Sequence, residues 1–194
     1  MPPILHLAGS AALSAFRLEK LQASLHRTSL AGARITTRYW HFVELERSLS
    51  DAERGVLDRL LSYGPSARPE AEGETLLVVP RIGTISPWSS KATDIATHCG
   101  LHAVTRIERG IVFHVARRGS ALDESERATL LPLIHDRMTE TVLATLEEAD
   151  RLFHHFEPKP LATIDLLGGG RAALEAANRA MGLALSADEI DYLH

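Results

Sequence analysis

The sequence predicts an α+β fold: two successive βαβ(β)α units whose strands join into one pseudo-dimeric antiparallel or mixed sheet covered by helices, followed by a small helical region. Three observations carry this. Short runs rich in β-branched and aromatic residues alternate with capped, amphipathic helix patterns. The chain matches itself at an offset of 72 to 73 residues. Beyond Phe156 the composition turns to proline, then to glycine and alanine. The units span about 1–72 and 73–147, and 148–194 reads as a helical linker region cut short at its C-terminus.

Each element has a local reason. Ile4-Leu5-His6-Leu7 is a short apolar strand, and Ser14 caps a helix carrying Phe16, Leu18, Leu21 and Leu25 to about Arg27. Arg34 to Leu45 reads as strand with a bend near Arg38. Ser50 and Glu53 form a capping box opening a helix that stops at Gly64-Pro65, before a polar loop, SARPEAEGE. Thr75 to Val79 is a buried type of strand closed by Pro80. Ser86-Pro87 is an N-cap with proline at the first helical position, and that helix ends at Gly100. Val104 to Arg117 is β-like, with Glu108-Arg109-Gly110 as a hairpin tip. Asp123 and Glu126 cap the next helix. Met138 to Leu146 reads as a last strand and Glu147 to Phe156 as a helix. Glu157-Pro158-Lys159-Pro160 is a stiff connector. Gly168 to Gly170 reads as a flexible turn before a helix from Arg171 to Met181, and Ser186 and Glu189 cap a final short one. A helix of barely two turns is marginal alone, which suggests a fragment or an absent neighbour.

The self-match joins strand to strand and cap to cap. At 72, Ile4 to Gly9 falls on Leu76 to Arg81, and Leu13-Ser14-Ala15-Phe16 on Ile85-Ser86-Pro87-Trp88. At 73, Trp40-His41-Phe42 falls on Phe113-His114-Val115, and Glu53, Arg54 and Leu57 on Glu126, Arg127 and Leu130.

Composition narrows the function classes. The 194 residues hold 21 basic and 25 acidic side chains, for a net charge of −4, with a pI near 6.2. That excludes a strongly basic nucleic-acid surface and gives no polybasic membrane anchor. No apolar run reaches the roughly 18 residues of a membrane span, and no signal peptide is visible. A lone cysteine, Cys99, fits a reducing compartment, so the chain is expected to be cytoplasmic.

The most unusual stretch runs from Pro80 to Ile95. Thr84, Ser86, Trp88, Ser89, Ser90, Lys91, Thr93 and Asp94 crowd a helix start, where exposed N–H groups suit a phosphate or a partner's carboxylate. An ordinary capped helix with a buried Trp88 explains the same pattern. His98-Cys99 invites a thiol nucleophile, but nothing places a base or an orienting carboxylate against the thiol, and a helix C-terminus raises a thiol pKa, so Cys99 reads as structural. His154 and His155 diverge by about 100° on a helix and suit no shared metal. Gly168 to Gly170 lacks the Lys-Ser/Thr of a phosphate loop. The residues alone favour a binding or assembly module. A sensor of phosphate-bearing metabolites, holding an anion at Ser86 to Lys91, is the alternative.

Thr84 to Ala96 (TISPWSSKATDIA) resembles the N-terminal region of phosphoribosylformylglycinamidine synthase of the large single-chain type. So do Arg106-Ile107-Glu108-Arg109-Gly110, Tyr63-Gly64-Pro65, His135 to Glu140, and Asp188 to Leu193, so that the likeness runs from about residue 10 to 194. The resemblance implies a part of the ATP- and Mg²⁺-dependent, glutamine-using ligase of purine biosynthesis. In that family the N-terminal domain resembles a fused dimer of a small subunit, and it is thought to bridge glutaminase and synthetase and help form an ammonia route. The family's catalytic, ATP, metal and glutaminase residues would lie beyond His194. The resemblance therefore implies no catalytic residue, metal or cofactor in this chain. It implies a monomeric fragment whose partners are the synthetase and glutaminase domains, with no nucleic acid and no membrane.

Overall fold

Five strands form one sheet in the order β1-β2-β4-β3-β5, and every pair is antiparallel. The computed structural model describes residues 3–65, 73–117, 121–155, 157 and 160–194. In chain order the elements are β1 (Ile4–Ala8), α1 (Ala15–Leu25), β2 (Arg34–Leu45), α2 (Asp51–Leu61), β3 (Glu74–Pro80), α3 (Pro87–His98), β4 (Val104–Ala116), α4 (Glu124–Ile134), β5 (Glu140–Leu143), a 3-10 helix Glu147–Phe153, α5 (Leu166–Met181) and α6 (Ala187–Leu193). They fall into two compact units, Met1–His155 and Phe156–His194.

The two long strands sit at the centre, as their β-branched and aromatic runs predict. β2 and β4 pair from Arg34↔Ala116 to Leu45↔Val104. Strand alternation splits their side chains between two faces. One face carries Ile35, Val43, Ile107, Phe113 and Val115, covered by the helices in two clusters. Each cluster draws on both halves of the chain: Leu25 and Leu30 pack with Leu76, Phe113 and Leu130, while Val43 and Leu57 pack with Ala96 and Ile107. The opposite face carries Phe42, Leu77, Val112 and Leu143 under Ala149 and Leu152 of the 3-10 helix. Phe42 and Leu77 are fully buried there.

The helix starts match the capping grammar. Ser14 and Ser86 cap α1 and α3, and Ser50, Asp123 and Ser186 open α2, α4 and α6 with capping boxes.

Several sequence expectations are corrected. Glu108-Arg109-Gly110 is no hairpin tip. It lies inside β4, paired with β2 on one side, and Gly110 stands opposite Trp40. A Cβ on Gly110 would lie 2.9 Å from Leu77 Cδ1 and 3.0 Å from Val79 Cγ1, so the glycine admits β3 rather than reversing the chain. Of the two sheet types expected, antiparallel or mixed, the antiparallel one is present. The irregularity in β2 falls at Glu44/Leu45, not near Arg38. The last strand is only Glu140–Leu143, and the following helix is 3-10 and ends at Phe153. Gly168 to Gly170 is not simply a turn: Asp165 caps a helical turn through Gly168 N–H (2.9 Å), and the chain kinks at Gly170 (φ 52°). Of the polar loop, 66–72 lie outside the described residues and Glu74 opens β3.

The strand superpositions of the self-match do not survive the pleat. Thirteen-residue β4 places His114 beside Thr75 on the 3-10-helix face, whereas His41 lies on the helix-covered face opposite Arg109. An odd offset along a strand turns every side chain over. Setting Ile4 to Gly9 on Leu76 to Arg81 likewise puts Leu5, packed under the helices, on Leu77 of the other face. An offset of 72 sets Ile35 on Ile107, both on the helix-covered face. Each N–H bonds a side chain of the preceding helix, Gln22 Oε1 (3.3 Å) and Thr93 Oγ1 (3.0 Å).

Candidate functional site

The α3 start is built around an internal ion pair. Ser86 Oγ accepts from Ser89 N–H (3.0 Å), closing the helix end. The Ser86 N–H and hydroxyl both donate to the Glu108 carboxylate, at 3.3 and 2.8 Å. Glu108 is fully buried, and Arg106 compensates it at 2.5 Å. The same guanidinium donates to the Thr84 carbonyl (2.8 Å) and the Leu152 carbonyl (2.9 Å) and stacks 5.4 Å from the Phe153 ring centroid. One arginine thereby ties the β3–α3 loop, β4 and the 3-10 helix together. The place where a helix N-terminus welcomes an anion is held by the chain's own carboxylate.

A second polar cluster lies beside it, between the two helix-side cores. The Arg109 guanidinium is sandwiched between Tyr39 (4.2 Å to the centroid) and Trp88 (4.5 Å). It donates to Tyr63 OH (3.0 Å), which also bonds His41 Nε2 at 2.7 Å. The Tyr63 hydroxyl thereby bridges the Arg109 guanidinium and the His41 ring. Burial, then the Arg109 charge, pushes the His41 pKa down to about 4, against a smaller opposing effect of the Leu7 backbone. Burial also raises the Tyr63 phenol.

The eight residues singled out by sequence divide accordingly. Ser86 and Thr93 are spent on Glu108 and on Ile107 N–H. Trp88 is half-buried on Arg109. Ser89 is buried, its hydroxyl without a hydrogen-bond partner. Thr84, Ser90, Lys91 and Asp94 remain exposed, with Asp94 3.4 Å from His98 Nδ1. Exposed Ile85 and Ile95 flank them. Beside this surface a groove of about 180 Å³ runs between α2 and α3, lined by Leu60, Tyr63, Trp88, Lys91 and Ile95. Sequence reasoning missed the supporting residues His41, Tyr63, Arg106, Glu108 and Arg109. Arg106, Glu108, Arg109 and Tyr63 lie in stretches that carry the resemblance, but nothing local joined them to α3.

Cys99 is a free, exposed thiol at the α3 C-cap. Among the described residues no group of three or more His, Cys, Asp or Glu is placed to hold a metal ion. At the α3 N-terminus the Glu108 carboxylate occupies the place an anion would take. Among the same residues no helix is long and apolar enough to cross a membrane.

A family model described as formylglycinamide ribonucleotide amidotransferase N-terminal matches residues 38–153, from β2 to the end of the 3-10 helix. The chain belongs to this family. It therefore carries the N-terminal domain of an amidotransferase of purine biosynthesis, and the matched residues include Arg106, Glu108, Arg109 and the whole α3 surface of that domain.

Proposed function

We propose that this amidotransferase N-terminal domain is a non-catalytic docking module that holds the glutaminase and synthetase domains of its own chain together and helps form the ammonia route between them. The observation that carries it is the α3 surface: Thr84, Ser90, Lys91 and Asp94 face outward from a loop and helix fixed beneath by Arg106 and Glu108. A rigid base that leaves the Ser90 and Lys91 side chains outward, flanked by Ile85 and Ile95, suits an interface rather than a reaction. On this reading the intact enzyme converts formylglycinamide ribonucleotide to its amidine with glutamine as donor, in the cytoplasm. ATP and Mg²⁺ belong to its synthetase domain, and the piece described is inactive and monomeric alone.

The domain also reads as an internal duplication. The strand order β1-β2-β4-β3 is symmetric about the β2/β4 seam. Strand, helix, strand, helix recurs in the same order, and the N-caps Ser14 and Ser86 lie 72 apart, Ser50 and Asp123 73 apart.

A phosphate-bearing metabolite at Ser86 to Lys91 is the weaker reading, because such an anion would meet the Glu108 carboxylate. A thiol enzyme using exposed Cys99 is weaker still, since no hydrogen bond or ion pair links that side chain to a base among the described residues. The test is Lys91→Glu in the intact enzyme. The expected outcome is unchanged thermal stability, near-normal ammonia-dependent turnover, and glutamine-dependent turnover reduced at least tenfold. Glutamine-dependent turnover at the unsubstituted rate would remove α3 from the interface.

A further inference from the structure

We propose that the groove between α1 and α4 is a second docking site, which takes an acidic amphipathic segment of another domain of the same amidotransferase. The inference rests on the docking reading and extends it to a surface on the other half of the sheet.

The groove has a volume of about 290 Å³ and an apolar floor of Leu13, Leu21, Phe113 and Ile134. One wall carries Leu133, 42% exposed, and the other carries Arg17 and Lys20. Both cations are exposed, and neither meets a carboxylate among the described residues. In a chain of net charge −4, two unpaired cations beside exposed Leu133 and half-buried Leu13 and Leu21 are a local contrast that calls for a matching ligand. A free phosphate would use the cations and leave Leu133, Leu13 and Leu21 uncovered. An uncharged apolar segment would bury those leucines and strand the cations. A segment with an apolar stripe bordered by Asp or Glu satisfies both.

The position supports the same conclusion. Leu60 and Leu61, which line the α2–α3 groove, precede Leu133 and Ile134 by 73 residues. Trp88 and Ala92 of that groove follow Phe16 and Lys20 by 72, and Phe16 is 74% exposed. The two grooves thus occupy corresponding places between corresponding helices. Each has a basic rim, Lys91 in one and Arg17 with Lys20 in the other. Two such grooves on one helical layer let a single domain hold two partner elements at once.

The test is photocrosslinking in the intact amidotransferase, with p-benzoylphenylalanine replacing Leu133 and, separately, Ile95 as a control in the α2–α3 region. From position 133 the expected product is an adduct with a segment of another domain bearing at least two Asp or Glu within one helical turn of its apolar contact. The double change Arg17→Glu, Lys20→Glu, at exposed positions that leave the fold intact, is expected to cut that yield at least tenfold. An adduct to a neutral or basic segment, to a second copy of this chain, or to nothing overturns the inference. An adduct from position 95 but none from 133 overturns it while leaving the docking reading in place. Silence at both positions removes both.

Discussion

His41 shows how a single buried ring makes stability depend on pH. Its pKa is about 4 in the fold and about 6.5 when exposed, so the unfolded chain binds the proton more readily between those values. The neutral-ring contribution is complete above pH 6.5 and is lost as pH falls toward 4. The difference corresponds to about 3 kcal/mol at most. Urea unfolding at pH 7 and pH 5 is expected to show the loss, and His41→Gln to flatten that part of the slope. Equal slopes in both proteins would mean that the ring titrates normally. Glu108 makes a different prediction. Removing it leaves Arg106 largely buried beside Ser86 without its counter-charge, so Glu108→Ala is expected to cost about 3 kcal/mol. A Tm within a degree of the unsubstituted protein would show that the pair carries no weight.

At the scale of elements, Gly110 lets β3 and β4 close. A valine there drives methyl groups into Leu77 and Val79, at a cost of about 2 kcal/mol read from denaturant midpoints. A neutral substitution would show that the strands have room. The same glycine explains why β4 was misread. Glu-Arg-Gly is turn chemistry when only near neighbours count, and only its pairing with Trp40 to Phe42 of β2 keeps it extended. Helix starts were legible because capping is local: Ser50, Asp123 and Ser186 each act on a residue three positions away. Strand correspondence was not, because a one-residue offset inverts the face. His41 and His114 match in sequence yet lie on opposite sides of the sheet.

For the whole molecule, the candidate surface was legible as a segment but not as a set of exposed side chains. The run Thr84 to Asp94 is legible, but Ser86 and Thr93 turn inward because β4 supplies Glu108 and Ile107 from more than ten residues away. Long-range partners of that kind leave no local mark. The helix-side cores give a further prediction. Each combines residues from both halves, so neither 1–72 nor 73–155 is expected to hold native structure as a monomer, whereas mixing them should restore the circular dichroism of 1–155. Independent folding of either half would contradict that arrangement. The central claim is that this domain organises an enzyme without taking part in its chemistry. It is tested most directly by producing the amidotransferase without these 194 residues and then adding them back as a separate chain. The account predicts loss of glutamine-dependent turnover on removal and its recovery on addition, in proportion to complex formed. A shortened enzyme that turns over glutamine at the full rate by itself would contradict it.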